Sequence, residues 1–307
     1  MSLFELVDVT HYYGSVCALR DVSVCTDSGA IGLVGQNGAG KSTLLQILLG
    51  MIVPSAGSAH VLGYDVSRSG LPLRGIVGYM PERDAFLPGL RGVEYVALAG
   101  RLCGMPRRQA HRRAHEVLSY LRLEEARYRP LEQYSVGMKQ RLKLAATLVH
   151  DPDVLLLDEP TAGLDPEGRL AMLQMIHALA GRPGRSLILS SHLLGDVERV
   201  CQSAIILSDG QVVSSGRIDR LRQASRGSYR IQWQGDGDDL LAGLRNRGVQ
   251  IDATERRDEA RVLLPAGITT RDIFATASRT QVILVGMEPE EEDFEMVYRR
   301  LVAGGQA

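Results

Sequence analysis

Gly35-Gln36-Asn37-Gly38-Ala39-Gly40-Lys41-Ser42 is the stretch on which the reading of this chain turns. It fits the pattern G-x-x-x-x-G-K-[ST]. Before it stands Ala30-Ile31-Gly32-Leu33-Val34, a short apolar run of buried-strand length. After it comes Ser42-Thr43-Leu44-Leu45-Gln46-Ile47-Leu48-Leu49-Gly50, an apolar helix stopped by Gly50. Strand, glycine loop and helix in that order make a phosphate cradle. Glycines let backbone N–H groups turn inward around anionic oxygens, and the helix adds the positive end of its dipole. Gly35, Asn37, Gly38, Ala39, Gly40, Lys41, Ser42 and Thr43 are therefore the candidate phosphate-binding residues. Lys41 is placed to reach the β- and γ-phosphates of a nucleoside triphosphate, very naturally ATP, and Ser42 to ligate Mg²⁺.

Working outward, Val154-Leu155-Leu156-Leu157-Asp158-Glu159 is an apolar strand ending in two acids. Asp158 is placed to hold Mg²⁺ and Glu159 to orient and deprotonate an attacking water. Residues 3–26 alternate as strands do, with a turn at 12–14, and Pro54 and Gly57 signal a hairpin before a strand at 59–62. Residues 93–150 read as helical, and residues 186–190 as another buried strand. The alternation argues for an α/β fold, a parallel sheet covered by helices. Composition shifts near Ser225–Gly227. Beyond it, strand signals at 229–233, 249–253, 260–264 and 281–285 alternate with helix signals at 239–247, 270–278 and 290–302. The order βαββαβα suggests a small α+β domain of ferredoxin-like, split βαβ type. The expected domains are 1–222, with a helical subdomain at 83–150, and 228–307.

The bulk properties bound the function. With 307 residues and 45% hydrophobic content, the chain can build one large core and a smaller one. A net charge of −1 gives no argument for nucleic acid as a partner. Cys17, Cys25, Cys103 and Cys201 form no CxxC pair and read as free thiols in a reducing compartment. No apolar run is long enough to span a membrane, and the first residues lack a signal-peptide pattern, so a cytoplasmic setting is expected. Only three of the 35 basic residues are lysines, Lys41, Lys139 and Lys143. Against an arginine-rich background, a lysine inside a motif carries more weight.

Three further motifs make the pattern specific: Tyr134-Ser135-Val136-Gly137-Met138-Lys139-Gln140-Arg141, then Pro160-Thr161-Ala162-Gly163-Leu164-Asp165, then Ser190-Ser191-His192. With the glycine loop and the paired acids, this ordered set resembles the nucleotide-binding subunits of ABC transporters over residues 1–217. The resemblance implies a P-loop NTPase of ABC type with antiparallel β and helical subdomains. It implies that Tyr13 stacks on adenine, with Tyr12 as the rival, and that Ser135 and Gly137 form the signature that faces the γ-phosphate across a dimer interface. Asp165 matches the D-loop, His192 the switch histidine, and Lys41, Glu159 and His192 the catalytic set. Val136 and Met138 depart from the commoner glycine and glutamine of the signature. Glu82 stands where a glutamine is usual, and its carboxylate can approach Mg²⁺ or the lytic water.

The Tyr79-Met80-Pro81-Glu82 form and the ending 291–301 resemble ATPases that serve separately encoded six-helix export permeases. The resemblance implies a head-to-tail dimer of two copies, each completing the other's site, an integral membrane permease as second partner, and residence at the cytoplasmic face of the membrane. The alternative is an ABC-type ATPase without a permease, in repair, translation or assembly; the chain has neither the long heptad insertions nor the second cassette of such relatives. The C-terminal domain reads either as a ligand sensor or as a dimer-stabilising or permease-docking module. Arg107, Arg108, Arg112 and Arg113 read as a solvated helix face, or more sharply as a contact for anionic lipid or a permease loop.

Overall fold

A computed structural model describes residues 2–223, 228–254, 256–265, 267–289 and 294–304. The chain divides into two compact units, one of Met1–Ile218 with the end of the chain from Leu301, the other of Asp219–Arg300.

In the first unit, β1 (Ser2–Tyr13) and β2 (Val16–Asp27) form an antiparallel hairpin turning at Gly14. β3 (Ala30–Val34) is buried at every residue and leads through the glycine loop into α1 (Lys41–Leu48). β4 (Ala56–Val61) pairs with β1, then turns into β5 (Tyr64–Asp65). That turn sits at Leu62 and Gly63, with φ of 48° and 82°, not at Pro54 and Gly57. Two successive positive φ values give the turn whose twist matches an antiparallel pair. α2 (Gly70–Ile76) leads to β6 (Val77–Met80), and α3 (Gly92–Leu102), α4 (Arg107–Tyr120) and α5 (Val136–Leu148) follow. The expected helical stretch is broken between α4 and α5. Arg122 takes φ 56°, Pro130 has no N–H to donate, and only two single 3-10 turns, Ala126–Tyr128 and Leu131–Gln133, intervene. β7 (Val154–Asp158), α6 (Pro166–Ala180), β8 (Ser186–Ser191), α7 (Leu194–Val200), β9 (Ser203–Ser208) and β10 (Gln211–Arg217) come next, and α8 (Ile218–Gln223) belongs to the second unit from Asp219 on.

Two sheets result. One is antiparallel, in the order β2-β1-β4-β5. The other runs β10-β9-β3-β8-β7-β6, parallel except for β10. Its central strands are continuous apolar runs because both faces are covered. Leu33, Leu156, Ile188 and Ile205 meet Leu44, Leu45 and Leu48 of α1 and the inner face of the antiparallel sheet in one core. The glycine loop with Lys41 and Ser42, the acids Asp158 and Glu159, and His192 stand at the carboxyl ends of β3, β7 and β8, where ligands bind in open parallel sheets.

The second unit contains β11 (Ser228–Gln234), α9 (Asp238–Arg245), β12 (Gln250–Ala253), β13 (Glu259–Leu263), α10 (Thr270–Arg279) and β14 (Ile283–Pro289), with α11 (Phe294–Gly304) after them. The sheet order is β12-β13-β11-β14, every pair antiparallel. β13 lies between β11 and β12, and β11 between β13 and β14, so two βαβ units interleave, the split βαβ arrangement. Ile231, Trp233, Leu240, Leu244, Val262 and Ile273 form its own core. The composition break at Ser225–Gly227 and the expected helix start at Glu290, with the acids to Asp293, lie outside the described residues. Among the described residues no helix is long and apolar enough to cross a membrane.

Candidate functional site

Between β3 and α1 the backbone must turn tightly enough to aim several N–H groups at one point. Gly38 and Gly40 make this possible with φ of 84° and 99°. A Cβ on Gly40 would also stand 2.7 Å from the carbonyl oxygen of Ala18. Lys41, buried at 7% exposure, sends its ammonium back across the loop. It donates to the carbonyls of Gly35 at 2.7 Å and Gln36 at 3.1 Å, and lies 4.0 Å from Glu159 Oε1. Burial pulls its pKa below the ordinary lysine value, and the charges of Glu159, Asp158 and Glu82 oppose that shift.

β7 delivers the two acids. Ser42 Oγ donates to Asp158 Oδ2 at 3.1 Å. Asp158 Oδ1 is buried and has no hydrogen bond of good geometry among the described residues, though the Ser190 hydroxyl lies close enough to favour the ionised form. Burial raises the Asp158 pKa, the Ser190 and Ser42 hydroxyls lower it, Glu82 adds to the rise, and the Lys41 ammonium acts against it. Glu82 is thus within electrostatic reach of both Lys41 and Asp158. Burial also pushes the Tyr79 phenol up to about 12, with Asp158 and Glu82 contributing.

Glu159 takes φ 46°, a strained conformation for a residue with a side chain. Its N–H donates to the carbonyl of Ser190 on β8 at 3.0 Å, which anchors the strain. The His192 N–H donates to Glu159 Oε1 at 2.9 Å, and His192 Nδ1 lies 3.0 Å from Oε2. The carboxylate is buried while the histidine ring is half exposed. Lys41, Ser42, Asp158, Glu159 and His192 therefore form one cluster, with Glu82 at its edge.

Ser135, Gly137 and Asp165 form another. Ser135 caps α5, accepting from the Met138 N–H at 3.3 Å. Asp165 Oδ1 caps α6, accepting from the Gly168 N–H at 2.8 Å, with Pro166 in the first turn. Gln140 Nε2 donates to the carbonyl of Ala162 at 2.9 Å. Val136, exposed otherwise, lies over Gly163, where a Cβ would be 3.3 Å from Val136 Cγ1. No hydrogen bond or ion pair among the described residues joins Ser135 or Gly137 to Lys41, Ser42 or Glu159. Tyr13 ends β1 with its Oη donating to Gln46 Oε1 of α1 at 3.0 Å and its ring edge-on to His11. Tyr12, the neighbouring rival, donates its backbone N–H to Ser55 Oγ at 3.2 Å. On α4, Arg107, Arg108 and Arg112 are exposed, and Arg112 and Arg113 pair with Glu116.

Two features escaped sequence reasoning. Lys143 donates to the carbonyls of Pro81 at 3.1 Å and Glu82 at 2.8 Å; its rarity as a lysine was a signal, but nothing in the sequence gave it a partner. Asp196, 1% exposed, accepts from Thr161 Oγ1 and Arg169 Nε at 2.6 Å each. It reads in sequence as an ordinary helix acid.

The sequence profile of the family described as ABC transporter matches residues 19–162. The uncharacterized ABC transporter ATP-binding protein YxlF of Bacillus subtilis is 31% identical over 289 residues, which cover 93% of this chain and 94% of that protein. This chain belongs to the ABC transporter ATP-binding proteins. Nod factor export ATP-binding protein I of Mesorhizobium japonicum is 32% identical over 300 residues, covering 94% of this chain and 88% of that one. A solved structure described as the ATP-binding subunit of an ABC transporter matches with a TM-score of 0.65 at 30% identity, over 72% of this chain and 92% of that chain. As an ABC ATPase subunit, the protein binds ATP and hydrolyses it.

Proposed function

We propose that two copies of this ABC ATPase close head to tail over two molecules of Mg-ATP, and that closure drives a separate membrane permease, bound at the cytoplasmic face, for export. The observation that carries the reading is the division of the site. One cluster holds Lys41, Ser42, Asp158, Glu159 and His192, Ser135 and Gly137 stand apart from it beside the turn that leads to Asp165, and among the described residues no hydrogen bond or ion pair joins Ser135 or Gly137 to that cluster. Each part needs the opposite one of a second copy.

The residues fit a hard divalent cation. Ser42 Oγ and Asp158 supply oxygen donors, and the buried Asp158 Oδ1 has no well-formed hydrogen bond among the described residues. Ser42 and Asp158 would hold the cation, and Mg²⁺ bound there would offset charge on the β- and γ-phosphates. Lys41 leaves the loop carbonyls for the γ-phosphate and meets charge as it develops in the transition state. Glu159 takes the proton of the attacking water; His192, which already contacts both of its oxygens, holds it in line. The Ser135 hydroxyl and the N-terminus of α5 from the opposite copy donate to the γ-phosphate, and Tyr13 stacks on adenine. ATP thus favours the closed state, and hydrolysis releases it.

Export is supported by the similarity to the Nod factor export protein and by the Tyr79–Glu82 form. The test is Glu159→Gln. It should trap an ATP-bound dimer, seen as a doubled mass by light scattering, with phosphate release lowered by about a hundredfold or more. Near-normal release would sink Glu159 as the base. Recovery of soluble partners alone from solubilised membranes would overturn the permease.

A further inference from the structure

β6 is the outer strand of its sheet, so one row of its carbonyls has no neighbouring strand. Side chains of α5 and of His150, two residues past its end, fill that row. His150 Nε2 lies 3.3 Å from Val77 O, Thr147 Oγ1 donates to Tyr79 O at 3.1 Å, and Lys143 Nζ donates to Pro81 O at 3.1 Å and Glu82 O at 2.8 Å. The periods match. Helix residues three or four apart rise about 5–6 Å, and alternate carbonyls of a strand recur at about 6.7 Å. Gly78 permits the approach, since a Cβ there would stand 2.6 Å from Thr147 O.

The last rung differs from the others. Lys143 carries a charge at 2% side-chain exposure, with Asp84 Oδ1 at 3.3 Å. Burying an ammonium is unfavourable, and a neutral donor would satisfy the same carbonyls without that penalty. The charge also lies close enough to feel Glu82 and Asp158. The helix it belongs to begins at the signature segment, where Ser135 is the cap.

We infer that Lys143 is a positioning residue for ATP hydrolysis, fixing the backbone of the Glu82 turn to the helix that presents Ser135 and Gly137, so that Glu82 at its own nucleotide and Ser135 and Gly137 at the second copy's nucleotide move as one body. The inference rests on the proposed place of Glu82 in the nucleotide site. Lys143→Met keeps the aliphatic stem and removes the ammonium. In the full chain it should lower kcat for ATP by about ten- to a hundredfold, the scale of a small misplacement, with KM little changed. Lys143→Arg, which still donates, should recover part of the loss. In a Glu82→Ala background, which removes the polar side chain, Lys143→Met should cost less than it does alone, because the part of its effect that passes through Glu82 is already lost.

Full additivity of the two losses, or an unchanged kcat in Lys143→Met while Glu82→Ala is impaired, would overturn the inference alone. An unimpaired Glu82→Ala would overturn it together with the role given to Glu82. Should Lys143→Met not fold, Thr147→Val drops the middle rung at nearly constant volume. It must then lower kcat non-additively with Glu82→Ala, and a normal kcat would overturn the inference.

Discussion

Asp158 is held in the fold against its own preference. Burial disfavours its charged form, and Glu82 adds to the penalty, so the folded pKa stands above the ordinary aspartate value of 3.8. A carboxylate with a raised folded pKa binds its proton more tightly in the folded state. Its contribution to stability is largest below 3.8 and is lost as pH rises through the folded value. Asp158→Asn should therefore abolish measurable hydrolysis and yet raise the melting temperature of the nucleotide-free protein by about 2–4 °C for each ~1 kcal/mol relieved. A lower melting temperature would contradict the burial argument. The cation needs the ionised form, so the sign reverses for ligand. Mg-ATP binding should weaken on acidification in a window that opens above 3.8, while metal-free ATP binding follows pH less steeply. Calorimetric titrations across that window decide it. Lys41, Asp158 and Glu159 were legible because their chemistry demands fixed spacing from glycines and from an apolar strand. Lys143 was not, because it acts on backbone carbonyls, which leave no mark in a sequence.

At the scale of elements, the apolar runs identified β3, β7 and β8 because strands covered on both faces need no polar alternation. The hairpin at Leu62 and Gly63 and the irregular stretch between α4 and α5 were not legible. Both depend on positive φ at residues with side chains, Leu62 and Arg122, which tertiary packing imposes. The same limit hid the junction of α6, α7 and the turn at Thr161. There Asp196 of α7 is buried and accepts from Thr161 and from Arg169 of α6. The junction ties the turn leading to Asp165 to the helix following His192. Removing one side of a buried pair leaves a desolvated charge, so Arg169→Met should cost about 2–4 kcal/mol, scaled down for the partial exposure of the arginine. Arg169→Met combined with Asp196→Leu should recover much of that, because no charge is then stranded. Urea midpoints of the three proteins give the answer; equal losses in the single and double variants would mean that the pair itself, and not the stranded charge, sets the energy.

At the scale of the molecule, the two cores share no residue. Leu33, Leu44, Leu156 and Ile188 belong to one, and Ile231, Trp233, Leu240 and Val262 to the other. The division was legible because the strand and helix signals restart after the composition shift, and each unit closes its own sheet. Separate cores predict separate melting, and the nucleotide offers a way to label the transitions. A ligand that binds only the folded form raises the transition of the unit that holds it. Every phosphate-facing residue lies before residue 200, so Mg-ADP should raise one calorimetric transition and leave the other in place. Ile231→Ala removes a fully buried side chain from the second core, a loss of about 2–5 kcal/mol. In a unit of this size that amounts to ten degrees or more, since each kcal/mol moves a small domain by about 4–8 °C. The shift should fall on the nucleotide-insensitive transition, with ATP hydrolysis at temperatures below it unchanged. A single transition that both Mg-ADP and Ile231→Ala displace would mean that the second unit is energetically fused to the ATPase, and the accessory-domain reading would give way to one in which β11–β14 are required for the nucleotide site to fold.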